Sequence, residues 1–435
     1  MPFSRTAIVR GALIAASLAA FSLLVGTSGQ AVASGGLAGI HGPGPLVHGR
    51  YAPLQGLAIP VGCALDLKPG AAACDARVLA APGAAGPQLM SAVTGYGPAD
   101  IQSAYRLGGT SAGGATVAIV DAYNDPKAAA DLAVYRSHFG LPACTVANGC
   151  FKQINQTGAT SPLPSNNYGW GLEESLDLDM VSATCPSCHI TLVEAKTANL
   201  SDLAIAEDTA AAQPGVVAIS NSYGGTEDGT EVKLDSHFDH AGVAITASTG
   251  DSGYGASYPA TSPHVTAVGG TSLTRNSTTA RGWSETAWSG SGSGCSKDLP
   301  QPSFQIGLTP CTTRADADVA ADADPSTGVA VYDTANSCLT ALLCDRLLQL
   351  GLASGADGWV QVGGTSASSP IIASVYALAG NTGTIDNSYP YAHAGSLNDV
   401  ISGSNGSCTQ KVLCNAGPGW DGPTGLGTPN GTGAF

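Results

Sequence analysis

The sequence predicts an α/β fold with a mostly parallel central sheet flanked by helices. Short apolar runs recur from residue 97 onward, helix-like stretches separate several of them, and polar residues follow the ends of the runs. The runs are Thr116–Val120, Ile190–Val193, Val216–Ile219, Val243–Ala247, Val265–Val268 and Val329–Tyr332, and the helix-like stretches are Lys127–His138, Gly171–Ala183 and Leu200–Ala212. Strands alternating with helices at this spacing make βα units around a parallel sheet. Ligands of such sheets bind beyond the carboxyl ends of the strands. Asp121, Asn221-Ser222-Tyr223-Gly224 and Asp251 all follow apolar runs there.

Taken from the start of the chain, Arg5 and Arg10 precede an apolar run from Gly11 to Val25 that ends near Ala31-Val32-Ala33. That pattern predicts a secretory signal peptide over 1–33. A membrane anchor needs about 20 unbroken apolar residues, and Ser17, Ser22 and Gly26 interrupt this run. Residues 34–97 are rich in Gly, Ala and Pro and read as a short prosegment or N-terminal extension pinned by Cys63 and Cys74. The 12 cysteines fall into local couples, 63/74, 144/150, 185/188, 295/311, 338/344 and 408/414. In an exported chain these predict disulfides, with the connectivity left open by sequence.

Charge excludes one class of partner. With 17 Lys+Arg against 32 Asp+Glu and no basic run, nucleic acid is not an expected ligand. Once its carboxylates are protonated in acid, the chain keeps at most those 17 charges, 8 histidines and the amino terminus. Self-repulsion then stays modest, so acid tolerance is expected.

Ser366 lies in Val362-Gly-Gly-Thr-Ser-Ala-Ser-Ser-Pro370, where an extended segment gives way to the apolar stretch Ile371–Ala379. A serine at the start of a helix feels the positive end of its dipole, and Pro370 is expected within the first turn, where an amide needs no intrahelical partner. An isolated serine there is commonly only an N-cap. The α/β-hydrolase elbow fits less well, because Ser368 stands where that motif has glycine.

The GTSAS-x-P motif before an apolar helix resembles the nucleophile motif of the subtilisin clan. A subtilisin would use Asp121 and a histidine in an HGT-like context, and no histidine of this chain stands in one. The sedolisin family, the serine-carboxyl peptidases, instead has Glu and Asp four residues apart, then Gly-Asp-Ser-Gly, then the serine motif. Glu173-Glu-Ser-Leu-Asp177, Gly250-Asp251-Ser252-Gly253 and Gly364-Thr365-Ser366 follow that order. Spacing of four puts Glu173 and Asp177 on one helical face, with Glu174 and Asp179 as decoys. The resemblance covers residues 98–435 and includes Ser220-Asn-Ser-Tyr-Gly224, similar to the family strand that pairs with substrate backbone. It implies a subtilisin-like fold in which Ser366 attacks, Glu173 takes its proton, Asp177 supports Glu173 and Asp251 holds the oxyanion. Two departures stand out: the segment before residue 98 is much shorter than the family's prodomain, and residues 336–356 look inserted.

The same resemblance extends to the C-terminal segment. Asn398-Asp399-Val400 and Ala416-Gly-Pro-Gly-Trp-Asp421 resemble the sedolisin calcium loop, which implies one structural calcium held by Asp399, Asp421 and the carbonyls of Val400, Gly417 and Gly419. A hard cation needs such oxygen ligands. The expected protein is thus a secreted, acid-active endopeptidase acting on polypeptides, monomeric and free of the membrane after signal cleavage. Two alternatives remain open, a non-catalytic secreted peptide-binding relative and a conventional subtilisin-like serine protease.

Overall fold

The structure is a computed structural model that describes residues 57–61, 63, 70–80, 93–335, 358–381 and 387–435. All of these belong to one unit, residues 50–435. The expected signal peptide, the apparent insertion 336–356 and the 338/344 cysteine couple lie outside the described residues. The other five couples are disulfides: 63–74, 144–150, 185–188, 295–311 and 408–414.

An N-terminal stretch supplies β1 (Leu57–Pro60), β2 (Ala73–Cys74) and β3 (Arg77–Ala80). The helix α1 (Pro98–Ala104) then leads into β4 (Thr116–Ala122), α2 (Ala128–His138), β5 (Phe151–Asn155), α3 (Tyr168–Thr184), β6 (His189–Ala195), α4 (Leu200–Ala211) and β7 (Val216–Asn221). There follow β8 (Tyr223–Gly224), α5 (Glu231–Leu234), β9 (Ala244–Ser248), β10 (Thr266–Arg275) and β11 (Trp283–Ala287). The remaining strands are β12 (Gly294–Pro300), β13 (Thr313–Asp316), β14 (Val319–Asp322), β15 (Val329–Tyr332), β16 (Trp359–Gly363), β17 (Leu397–Asn398) and β18 (Thr428–Pro429), with α6 (Thr365–Ala379) after β16.

The main sheet has eight strands in the order β11-β10-β9-β7-β4-β6-β5, with β14 also paired to β10. Every pairing is parallel except β10 with β11. Strands buried on both faces read as unbroken apolar runs, and Val117–Val120 are indeed fully buried. The helix α4 covers β4, β6 and β7, while α3 and α6 pack on one another and on the sheet. The fold class expected from sequence, mostly parallel α/β, is the observed one.

Two local expectations are corrected. The run Val329–Tyr332 does not join the main sheet but lies in a four-stranded sheet, β1-β3-β16-β15, whose pairings are antiparallel. Its strand partner is β16, with β3 and β1 beyond, and pairing choice is a tertiary matter that periodicity does not encode. Pro370 is not in the first turn, because α6 begins at Thr365 and Pro370 is its sixth residue. The missing amide leaves the Ser366 carbonyl without its helical partner, and the Ser222 hydroxyl lies 3.2 Å from that oxygen.

Candidate active site

The helix α3 is buried along nearly its whole length, from Trp170 to Thr184, although it carries four carboxyl groups. Its first turn is held by Asn167, whose side chain accepts hydrogen bonds from the amides of Gly169 and Trp170. Apolar Leu172, Leu176 and Met180 form one stripe, and Glu173 and Asp177 share another face one turn apart.

Four chain segments bring the site together. Ser366 is the second residue of α6, and its hydroxyl donates to the Ser222 carbonyl at 3.2 Å. No hydrogen bond of ordinary geometry reaches either Glu173 oxygen. Burial raises the Glu173 pKa well above the usual range, the Asp177 and Asp121 charges add to it, and the nearby Ser366 hydroxyl opposes them. Asp177 Oδ1 is 2.7 Å from Ser222 Oγ, and burial raises its pKa against that hydroxyl. Ser222 has one proton for two acceptors, Asp177 and the Ser366 carbonyl. A neutral Asp177 resolves this by donating to Ser222, which then donates to Ser366.

Asp121, at the end of β4, is fully buried with both oxygens lacking a hydrogen-bond partner. Burial, then Asp177 and Glu194, push its pKa up. Glu173, Asp177 and Asp121 thus form one cluster of buried carboxyls whose charges oppose one another. A second cluster takes Glu174, since the Asp125 amide donates to Glu174 Oε2 at 3.1 Å and to Glu194 Oε1 at 3.3 Å. Asp179 accepts from the Tyr332 amide at 2.9 Å. Adjacent residues on α3 therefore serve different neighbourhoods.

Asp251 lies three residues beyond β9. Its Oδ1 accepts from the Thr365 amide at 2.8 Å and the Thr365 hydroxyl at 3.1 Å, while Oδ2 makes no hydrogen bond. Burial pushes this carboxyl up to about 7, against the Thr365 amide and Arg77. Protonated on Oδ2, it is a donor at the amino end of α6. Gly364 has φ 111°, and a Cβ there would come within 2.1 Å of the Asp75 carbonyl and 2.7 Å of Asp251 Oδ2. Only glycine gives the turn that sets this helix end against these oxygens.

Sequence reasoning did not find Asp75, Arg77 or Ser222. Arg77 Nε is 3.4 Å from Asp251 Oδ2, and its Nη2 donates to the Asp251 carbonyl at 2.7 Å. The Ser366 amide donates to the Asp75 carbonyl at 3.0 Å. No motif marks Asp75 or Arg77, which lie in the Gly/Ala/Pro-rich segment. Ser222 was visible only as part of a strand. The described histidines bearing carboxylate partners pair with Asp208, Asp235 and Asp239, and none of them bonds Ser366 or Asp121.

At the C terminus, β17 and β18 pair and place Asp399 beside the loop that carries Asp421. Asp421 is fully buried, and its oxygens accept from the Gly417 and Thr424 amides at 2.9 Å. The Gly419 amide donates to Asp399 at 3.0 Å. Neither carboxyl has a cationic partner among the described residues, and no hydrogen bond reaches the carbonyls of Val400, Gly417 or Gly419. An all-oxygen donor set with uncompensated carboxyls fits a hard cation such as calcium.

A parallel sheet with a serine at the amino end of its central helix defines a subtilisin-like α/β fold. No family model matches the chain. Kumamolisin of Bacillus sp. (strain MN-32) is 28% identical over 384 residues, covering 78% of this chain and 63% of kumamolisin. Sedolisin of Pseudomonas sp. (strain 101) is 32% identical over 195 residues, 40% of this chain and 29% of that protein. The solved structure of Pseudomonas sedolisin, a serine-carboxyl proteinase complexed with two molecules of pseudo-iodotyrostatin, superposes with a TM-score of 0.63 at 26% identity, over 78% of this chain and 96% of that one. In sequence and in fold the chain is similar to proteins of the sedolisin family. It spans about three-fifths of the length of kumamolisin.

Proposed function

We propose that this protein is a secreted, acid-active serine-carboxyl endopeptidase that hydrolyses polypeptides through an acyl-enzyme on Ser366. The observation that carries the reading is the convergence of Ser366, Glu173, Asp177 and Asp251 from distant segments at the amino end of α6. Glu173, with its raised pKa, is a stronger base than an ordinary carboxylate once ionised, and takes the Ser366 proton as Oγ attacks the carbonyl carbon. Asp177 shares that charge and is oriented through Ser222. The Ser366 amide and the protonated Asp251 carboxyl receive the negative charge that grows on the carbonyl oxygen. The proton then passes from Glu173 to the leaving amine, and water reverses the sequence on the ester.

The absence of a histidine partner for Ser366 among the described residues favours this reading over a conventional subtilisin-type base. Export rests on the signal-like residues 1–33. A calcium held by Asp399, Asp421 and the carbonyls of Val400, Gly417 and Gly419 is structural, clamping the C-terminal loop against β17 and β18. The test is digestion of denatured casein from pH 3 to 8 by the wild type and by Ser366→Ala. Wild-type hydrolysis in acid with an inert variant is expected. A matured, folded wild type that cuts nothing at any pH would move the assignment to a peptide-binding relative.

A further inference from the structure

Residues 70–77 occupy the cleft in the manner of a bound substrate. The Ala72 amide donates to the Ala198 carbonyl at 2.8 Å, and Ala71 bridges Asn199 in antiparallel fashion. On the other side β2 pairs antiparallel with β8, Ala73 opposite Gly224 and Cys74 opposite Tyr223. The Asp75 amide then donates to the Ser222 carbonyl at 3.3 Å, and the Asp75 carbonyl accepts from the Ser366 amide at 3.0 Å. The Asp75–Ala76 peptide unit lies over Gly364, since a Cβ there would also come within 2.9 Å of the Ala76 Cα. That puts the Asp75 carbonyl oxygen beside both Ser366 N–H and Asp251 Oδ2.

The side chain of Asp75 enters a small polar pocket. Ser248, at the end of β9, donates to Asp75 Oδ2 at 2.8 Å, and a Cβ on Gly224 would lie 3.5 Å from the same oxygen. Burial and then Asp251 raise the Asp75 pKa, so in acid the pocket holds a neutral aspartic acid. The sulfurs of the Cys63–Cys74 disulfide and a Glu173 oxygen lie within 4.8 Å of one another.

We infer that Asp75–Ala76 is the bond this chain cuts in itself, with Asp75 filling the specificity pocket and Ser248 reading its carboxyl. This rests on the peptidase reading above and adds its preferred acyl side chain. Ser366 Oγ bonds to the Asp75 carbonyl carbon while Glu173 takes its proton, and the Asp75–Ala76 bond breaks as that proton passes to the Ala76 nitrogen. Water then adds to the ester, its proton passing through Glu173 back to Ser366, and leaves a free Asp75 carboxyl. Both cysteines of the disulfide lie before the cut. The new amino-terminal residue is Ala76, and β3 stays in its sheet with β1 and β16.

The experiment follows the secreted chain at pH 4 and maps amino termini by intact mass and terminal sequencing, with denatured casein digested alongside. Wild type is expected to acquire Ala76 as an amino terminus at a rate independent of protein concentration, because the bond is presented in cis, and Ser366→Ala is expected to stay whole. Ser248→Ala is expected to slow the cut on the order of 5- to 10-fold, the value of one hydrogen bond. It should add nothing further in an Asp75→Ala background, where the reading group is already gone. A first terminus elsewhere, or a rate proportional to concentration, overturns the inference. Casein hydrolysis with Asp75–Ala76 intact overturns it while leaving the peptidase reading standing, whereas no cleavage of either overturns both.

Discussion

At the residue scale the site turns on which carboxyl faces which neighbour. Glu173 and Glu174 are adjacent and equally buried, yet they point about 100° apart on α3 and join different clusters. Glu173→Gln should lower kcat on the order of 10²- to 10⁴-fold with folding intact by circular dichroism. Glu174→Gln should keep most of the turnover, because a neutral side chain already suits its surroundings. The opposite ranking would mean that the base lies in the Asp125–Glu194 cluster. For Asp251 the chemistry demands a donor, and an ionised carboxylate only accepts. Its folded pKa of about 7 keeps it neutral in acid and ionises it as pH rises through neutrality. The pH–rate profile should rise as Glu173 gains its ionised form and fall as Asp251 ionises through about pH 7. Asp251→Asn cannot ionise, so its residual activity should decline less steeply over that alkaline limb. An unchanged limb in a variant with measurable turnover would exclude the role.

Among the elements, α6 and the C-terminal loop show how local exceptions are compensated. Pro370 inside α6 frees the Ser366 carbonyl, and Ser222 covers it, so the residue that breaks the helical ladder also ties the nucleophile's backbone to the Asp177 side. The loop bearing Asp421 and the neighbouring Asp399 present two carboxyls with no cationic partner among the described residues. Calcium that binds only the folded chain stabilises it by mass action. Adding calcium at about 100 times its Kd should raise the Tm by about 3 °C, and Asp421→Ala should abolish that response. A wild-type Tm that ignores both chelator and calcium would remove the metal from the account.

Over the whole molecule, buried carboxyls set the pH response. Burial raises the pKa of Asp121, Glu173, Glu174, Asp177, Asp179, Asp316 and Asp322, and brings Glu194 and Glu207 to about 8. A carboxyl whose folded pKa exceeds its unfolded value of about 4 binds more protons when folded, so its contribution is full below pH 4 and is lost as pH rises through the folded value. Ser366→Ala, which cannot digest itself, should melt highest near pH 4 and progressively lower toward pH 8 by calorimetry. A Tm that climbs over that range would show these groups ionised in the fold. Sequence alone determined the α/β class, the clustering of cysteines into local couples and the ordered Glu173/Asp177, Asp251 and Ser366 motifs, because periodicity, short-range cysteine spacing and i,i+4 geometry are local properties of a chain, while the disulfide connectivity itself came from the structure. Tertiary structure decided which sheet Val329–Tyr332 joined, that Glu174 and Asp121 are buried and charge-coupled, and that Asp75 and Arg77 enter the cleft. Those outcomes depend on pairings between residues tens to hundreds of positions apart, and strand partners and burial at that range leave no periodic trace in the amino-acid order.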